Sequence, residues 1–240
     1  MSVVNRLLPT MGGRFATALG IDLKGGPQER QKWLLAAILF GARISGELAA
    51  RTYQVFAANR ITEPQAILRQ GWDRLVDLLD EGGYARYDFK TATKLLTAMA
   101  NLQQDYQGDI EQLHAVARDA RDLEKRLMKL APGIGPTTVE IFLRELRGVW
   151  LKAAPRLSPL AAEAAKHLGL VPSGLTAQAA LEALQQCWAA ESLAGYDFAD
   201  LEAALVRLGR DYCRKAKGPP CPMAAHCQRP ECPRRPFRNK

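Results

Sequence analysis

The sequence predicts an all-α protein, and three observations carry the prediction. Strand-like alternation of polar and apolar residues is scarce, and apolar positions recur at helical spacing through most of the chain. Ala, Leu, Arg and Gln, all good helix formers, are abundant. With 240 residues and 48% hydrophobic content, one or two domains with proper cores are expected.

Taken in order, Trp33 to Ala50 presents apolar residues on a wide face. Its most apolar part, Trp33 to Ala42, is about half the length needed to span a bilayer and reads as a buried helix. Met1 to Leu23 lacks the continuous apolar core and cleavage site of a secretory signal. A cytoplasmic, nucleoid-associated protein without a membrane segment is therefore expected. Thr62 with Gln65 forms a capping box ahead of a helix toward Arg69, with Pro64 in its first turn. Trp72 to Leu79 continues to a stop at Gly82-Gly83, and Phe89 to Tyr106 carries Leu95, Leu96, Met99, Leu102 and Tyr106 at helical spacing. Ile110 to Val116 is shorter. Ser158 caps a helix ending at Gly169, Thr176 caps one reaching Ala190, and Asp197 caps the last, Phe198 to Tyr212.

Between the helical runs Arg121–Leu130 and Thr137–Val149 lies Leu130-Ala131-Pro132-Gly133-Ile134-Gly135-Pro136-Thr137-Thr138. Pro132 ends the first helix, and Gly133 and Gly135 permit positive φ and close approach by another backbone. The second helix then offers unpaired N–H groups and its positive dipole end to an anion, as a phosphate would require. An ordinary αα-hairpin with a glycine connection fits the same residues.

Charge narrows the choice. The formal net charge is +8, and residues 206–240 alone hold ten Lys or Arg against Asp211 and Glu231, so the body of the chain is neutral. A cationic end on a neutral body suggests a polyanion, and nucleic acid is the commonest one. A solvated basic tail is the bland alternative.

Four of the five cysteines, Cys213, Cys221, Cys227 and Cys232, fall in that same end at x7, x5 and x4 spacing. Cys187 stands apart. A local thiol cluster outside a secreted protein points to a metal site rather than a disulfide frame. Four thiolates at uneven spacing suit a [4Fe–4S] cluster. Zinc and plain thiols remain alternatives, since only the x4 pair approaches a zinc knuckle. His226 is an alternative ligand, whereas His114 and His167 read as surface residues.

Hairpin followed by cysteine cluster resembles the endonuclease III branch of the helix-hairpin-helix (HhH-GPD) DNA glycosylases, over most of the chain. Leu39-Phe40-Gly41-Ala42-Arg43-Ile44 looks like the family's early helix and the turn that wedges into DNA, and Gly83-Tyr84-Ala85-Arg86-Tyr87 like its Gly-Tyr segment. Leu208-Gly209-Arg210-Asp211-Tyr212-Cys213 looks like the helix that delivers the first cluster ligand. The resemblance implies two helical modules with a lesion-binding cleft between them. The first is a six-helix barrel over 31–150 with the hairpin at about 121–149; the second is a cluster module built from 1–30 and 151–240. It implies DNA contacts from Gly133, Ile134, Gly135, Thr137 and Thr138, with Arg43 filling the stack vacated by a flipped base. Arg214, Lys215 and Lys217 match the basic cluster loop that touches backbone phosphates. Cys213, Cys221, Cys227 and Cys232 would hold the cluster, although the family's usual C-x6-C-x2-C-x5-C spacing is departed from at every interval.

Two departures bear on chemistry. Bifunctional members carry a Lys two residues after the second hairpin Gly, which forms a Schiff base with the sugar. That position is Thr137, which argues against AP-lyase activity. The family's essential Asp falls on Pro155, and Gly148 to Leu157 contains Lys152 and Arg156 but no carboxylate. Glu140, Asp88 and Glu163 are the candidate replacement acids.

The sequence therefore points to a monomeric base-excision-repair protein that binds damaged double-stranded DNA and flips a base. As an enzyme it would be a monofunctional or atypical N-glycosylase. The alternatives are a non-catalytic lesion-binding protein, a protein doing other chemistry on the base, and a helical protein whose zinc-stapled basic tail binds RNA or protein.

Overall fold

The computed structural model of the chain describes residues 2–215 and 218–229. Lys217 and Cys232 lie outside them. The described residues are helical throughout, with no strand. No helix among them is long and apolar enough to cross a membrane. The chain forms two compact units, Met1–Phe15 with Pro155–Lys240, and Ala16–Ala154.

The Ala16–Ala154 unit is organised around α3 (Pro27–Phe40), after the short α2 (Phe15–Ala18) that straddles the boundary. Every residue of α3 from Trp33 to Leu39 is buried, because this helix is apolar on all sides and needs partners on all sides. Those partners are α4 (Gly46–Ala58), α6 (Asp88–Tyr106), α7 (Ile110–Val116) and α9 (Pro136–Glu145). Trp33 Nε1 donates to the Phe142 carbonyl at 3.1 Å, which ties α3 to α9. Between α4 and α6, α5 (Pro64–Glu81) packs along α6, and α8 (Ala120–Lys129) joins α7 to α9.

Three expectations are corrected here. The stretch Trp33 to Ala50 is two helices separated by a turn at Gly41–Ser45, with Ser45 capping α4 by accepting from Leu48 N. Thr62 is not a cap: it is buried, and Glu63 occupies the N-cap without a side-chain hydrogen bond. Residues 16–30, expected in the second module, belong to the same unit as α3. The buried Glu145 carboxylate accepts from Ala16 N at 3.0 Å, and Arg30 pairs with Glu111, so both ends of that segment are anchored within the unit.

In the other unit, α1 (Val3–Met11) packs on α11 (Ala177–Glu191) and α12 (Phe198–Leu208), and α10 (Pro159–His167) packs on both of those helices. The caps read from sequence at Ser158, Thr176 and Asp197 are present, and at Asp197 a full capping box forms with Asp200. The segment following α1 is pinned by Arg14, whose backbone N–H donates to Asp200 and whose guanidinium pairs with Asp197 at 2.6 Å. Past Leu208 the helix widens into a π-helical turn, Gly209–Cys213. Gly209 lies so close to the Leu160 backbone that a Cβ there would collide with it.

Candidate functional site

The hairpin connects α8 to α9. Asn101 Nδ2 donates to the Leu130 carbonyl at 2.9 Å and holds the end of α8. Gly133 then adopts φ +87°, a left-handed conformation that L side chains rarely take. Gly135 does not: its φ of −105° and ψ of −177° are extended, and a Cβ there would meet nothing. The space in front of the turn is open at this position. Ile134 is buried, and its N–H already donates to the Ala131 carbonyl, so this residue plugs the hairpin into the core. Pro136 carries no N–H, no side chain caps α9, and Thr137 is exposed at its start. The amides of this first helical turn have no intrahelical acceptor, which is the electrostatic requirement of an anion site.

The Thr138 side chain also positions the neighbouring turn. It is 4% exposed, and its side chain lies so close to Gly41 that any Cβ at position 41 would collide with it. That contact sets the turn carrying Arg43 directly against the hairpin helix. The turn is fixed from a second side by Tyr84, which is buried and donates its hydroxyl to the Leu39 carbonyl at 2.7 Å. Burial raises the Tyr84 pKa, so the hydroxyl keeps its proton and remains a donor. Arg43 itself is exposed.

Hairpin and turn meet in a cleft of about 560 Å³ formed wholly by residues of the Ala16–Ala154 unit. It contains two lysines that sequence reasoning passed over, Lys90 and Lys94 on α6. Lys94 is half-buried, with its ammonium 3.5 Å from where a Gly133 side chain would begin. Desolvation lowers its pKa. On sequence it is an ordinary lysine on an amphipathic helix, and no local signal separates it from its solvated neighbours.

The expected acids are dispersed. Glu163 is paired with Arg214 at 2.8 Å. Asp88 turns back onto the start of α6, accepting from Phe89 N at 2.6 Å, and it also meets Asp80, whose pKa is raised by desolvation and then by Asp88. Glu140 is partly exposed on α9. Pro155 is buried. Lys152, near the expected acid position, donates to the His114 and Ala115 carbonyls at 2.7 and 3.1 Å. His114 is half-buried and stacks on Trp150 at 4.5 Å.

Among the described residues of the cationic end, four cations are engaged within the chain. Arg210 pairs with Asp211 at 2.7 Å, Lys215 reaches the same carboxylate at 3.4 Å, and Arg214 is held by Glu163. Arg207 donates to the Gly13 and Arg14 carbonyls.

Cys213, delivered by the π-helical turn, lines one pocket together with Cys221 and Cys227. Leu168, Leu208 and Met223 line it too, together with Tyr212, Arg229 and His167, which was expected as a surface residue. Three thiols lining one pocket fit an iron–sulfur cluster by donor chemistry. His226 does not line this pocket. Among the described residues no three His, Cys, Asp or Glu side chains come together as ligands of one metal ion.

No family model matches the chain, and no curated protein matches it in sequence. Among solved structures it is similar to a non-covalent endonuclease III–DNA complex, at 19% identity and a TM-score of 0.50, with 85% of this chain and 83% of that one covered. The fold is that of endonuclease III. The chain also matches a trapped endonuclease III–DNA covalent intermediate in an estranged-adenine complex, at 18% identity and a TM-score of 0.47, over 81% of this chain and 82% of that one.

Proposed function

We propose that the protein binds damaged duplex DNA in base repair, holding a backbone phosphate at the Gly133 hairpin and extruding a base for a monofunctional or atypical N-glycosylase reaction. The observation that carries this reading is the hairpin's construction. A left-handed Gly133, an uncapped α9 with open space before Gly135, and the half-buried Lys94 ammonium converge on one spot suited to an anion. Arg43, exposed on the turn packed against Thr138, is the side chain that would fill the vacated stack. Cys213, Cys221, Cys227 and Cys232 would hold a [4Fe–4S] cluster. Its chemistry is thiolate ligation that ties the chain after the π-helical turn to the α10–α12 body.

Thr137 and Pro155 stand where a Schiff-base Lys and an acid would be needed, so sugar-attached lyase chemistry is not proposed. A second reading, lesion binding without base release, is favoured by the pairing of Glu163 with Arg214 and the turning-in of Asp88. Base release from a panel of lesion-bearing duplexes, scored with and without alkali, separates the two. Strand breaks only after alkali support the glycosylase. Silence across the panel with binding retained supports the second reading.

A further inference from the structure

The cleft beside the hairpin has a feature that phosphate binding does not use. Trp72 and Phe89 stand at its edge, 38% and 58% exposed, with ring centroids 5.1 Å apart. Large apolar rings are rarely left in water as a pair without a use. The Trp72 ring is also held in place. Its Nε1 donates to Thr93 Oγ1 at 3.0 Å, and that hydroxyl donates in turn to the Phe89 carbonyl at 2.9 Å. The one polar atom of the indole is therefore satisfied, and what remains on offer is a π face. Arg43, Lys90 and Lys94 share the cleft, and none of its lining residues is acidic. Its volume of about 560 Å³ falls within the roughly 300–1,000 Å³ of small-ligand sites.

We propose that this cleft binds one unpaired nucleotide of DNA, its base stacked on Trp72 with the tilted Phe89 ring against its edge, and its phosphate met by Lys90 and Lys94. Rigid aromatic faces among cations and free of carboxylates are what a base with its phosphate requires. A paired base presents only its edges, so the site selects for bases out of the stack. Lys94 adds a reason for an anion, since its half-buried ammonium has no acid partner among the described residues. The inference rests on the DNA-binding reading above and adds to it a place, within the Ala16–Ala154 unit, for a base that has left the helix.

The test is fluorescence anisotropy of the full chain with three probes: a fully paired duplex, the same duplex with one bulged thymine, and a single-stranded oligothymidine. The wild-type protein is expected to prefer the bulged duplex to the paired one. Trp72→Ala and Phe89→Ala should each lower bulge affinity about tenfold and leave paired-duplex affinity unchanged. Trp72→Phe, which retains a π face, should keep most of the preference, and oligothymidine should quench the Trp72 emission. Thermal melts of the variants check that each is folded. Equal affinity of the wild type for bulged and paired duplex, or a preference untouched in both alanine variants, overturns this proposal alone. Failure to bind any of the three probes overturns the DNA-binding reading with it.

Discussion

The Tyr84 hydroxyl donates to the Leu39 carbonyl at 2.7 Å, and so the loop after α5 sets the end of the central helix. Two residues after Leu39, Gly41 lies against Thr138 of the hairpin helix. Three segments far apart in sequence thus position one turn, the turn that presents Arg43. Tyr84→Phe should leave a buried carbonyl without its donor and cost ~1–3 kcal/mol. A melting temperature lower by several degrees, with the fold retained, checks this. An unchanged melting temperature would remove Tyr84 from the account.

Gly41→Ala should be worse than its single methyl suggests. The added Cβ meets both the hydroxyl and the Cβ of Thr138, so either the turn or α9 must shift. Overpacking of this kind costs ~1–3 kcal/mol. Thr138→Ala on that background should recover part of the loss, as read in a double-mutant cycle of denaturant midpoints.

Acid should destabilise the Ala16–Ala154 unit through His114. Burial first, then Lys152, lowers the imidazole pKa in the folded state below its ordinary value. A base depressed by folding contributes its stability above the unfolded pKa and loses it as pH falls through the folded one. The loss is therefore expected as pH falls below the ordinary imidazole value of about 6.5. His114→Phe keeps a ring stacked on Trp150 and should flatten that part of the profile, measured as melting temperature against pH. Asp122, held below the usual carboxylate range by hydrogen bonds from Arg118 and Arg126, produces a separate loss at more acid pH that this variant leaves in place.

Purified protein carrying an iron–sulfur cluster should absorb near 400 nm, where zinc thiolates are colourless. Cys213→Ser and Cys227→Ser should each bleach that band and lower the melting temperature, because both residues line the same pocket. A colourless wild-type protein with bound zinc would replace the cluster by a zinc site.

How much of this was legible in the chain depends on the range of the forces involved. The helix Ile110–Val116 and the caps at Ser158, Thr176 and Asp197 are local features, each set by a side chain bonding an amide two or three residues on, and they read directly. The apolar pattern runs through the turn at Gly41–Ser45, which the resemblance over 39–44 and the local cap at Ser45 mark; its seating against the distant Thr138 was not legible. Thr62 has the right chemistry for a cap, but it is buried and Glu63 takes the cap. The hairpin glycines were visible as a motif, while the difference between left-handed Gly133 and extended Gly135 was not. Lys94 and the Trp72–Phe89 pair were invisible as a site, because the tertiary fold brings α5 and α6 to the hairpin.

Phosphate binding at the hairpin is best measured as duplex affinity across a salt series, for wild type and Gly133→Asp. The aspartate would strain a left-handed position and place an acid beside Lys94, where the phosphate is expected. Gly133→Asn, which carries the same backbone strain and nearly the same shape without the charge, isolates the electrostatic part. If the hairpin holds a phosphate, affinity falls linearly on logarithmic axes with salt, Gly133→Asp binds about tenfold more weakly with a flatter slope, and Gly133→Asn shows a milder loss. Wild-type affinity and slope in Gly133→Asp would contradict phosphate binding there.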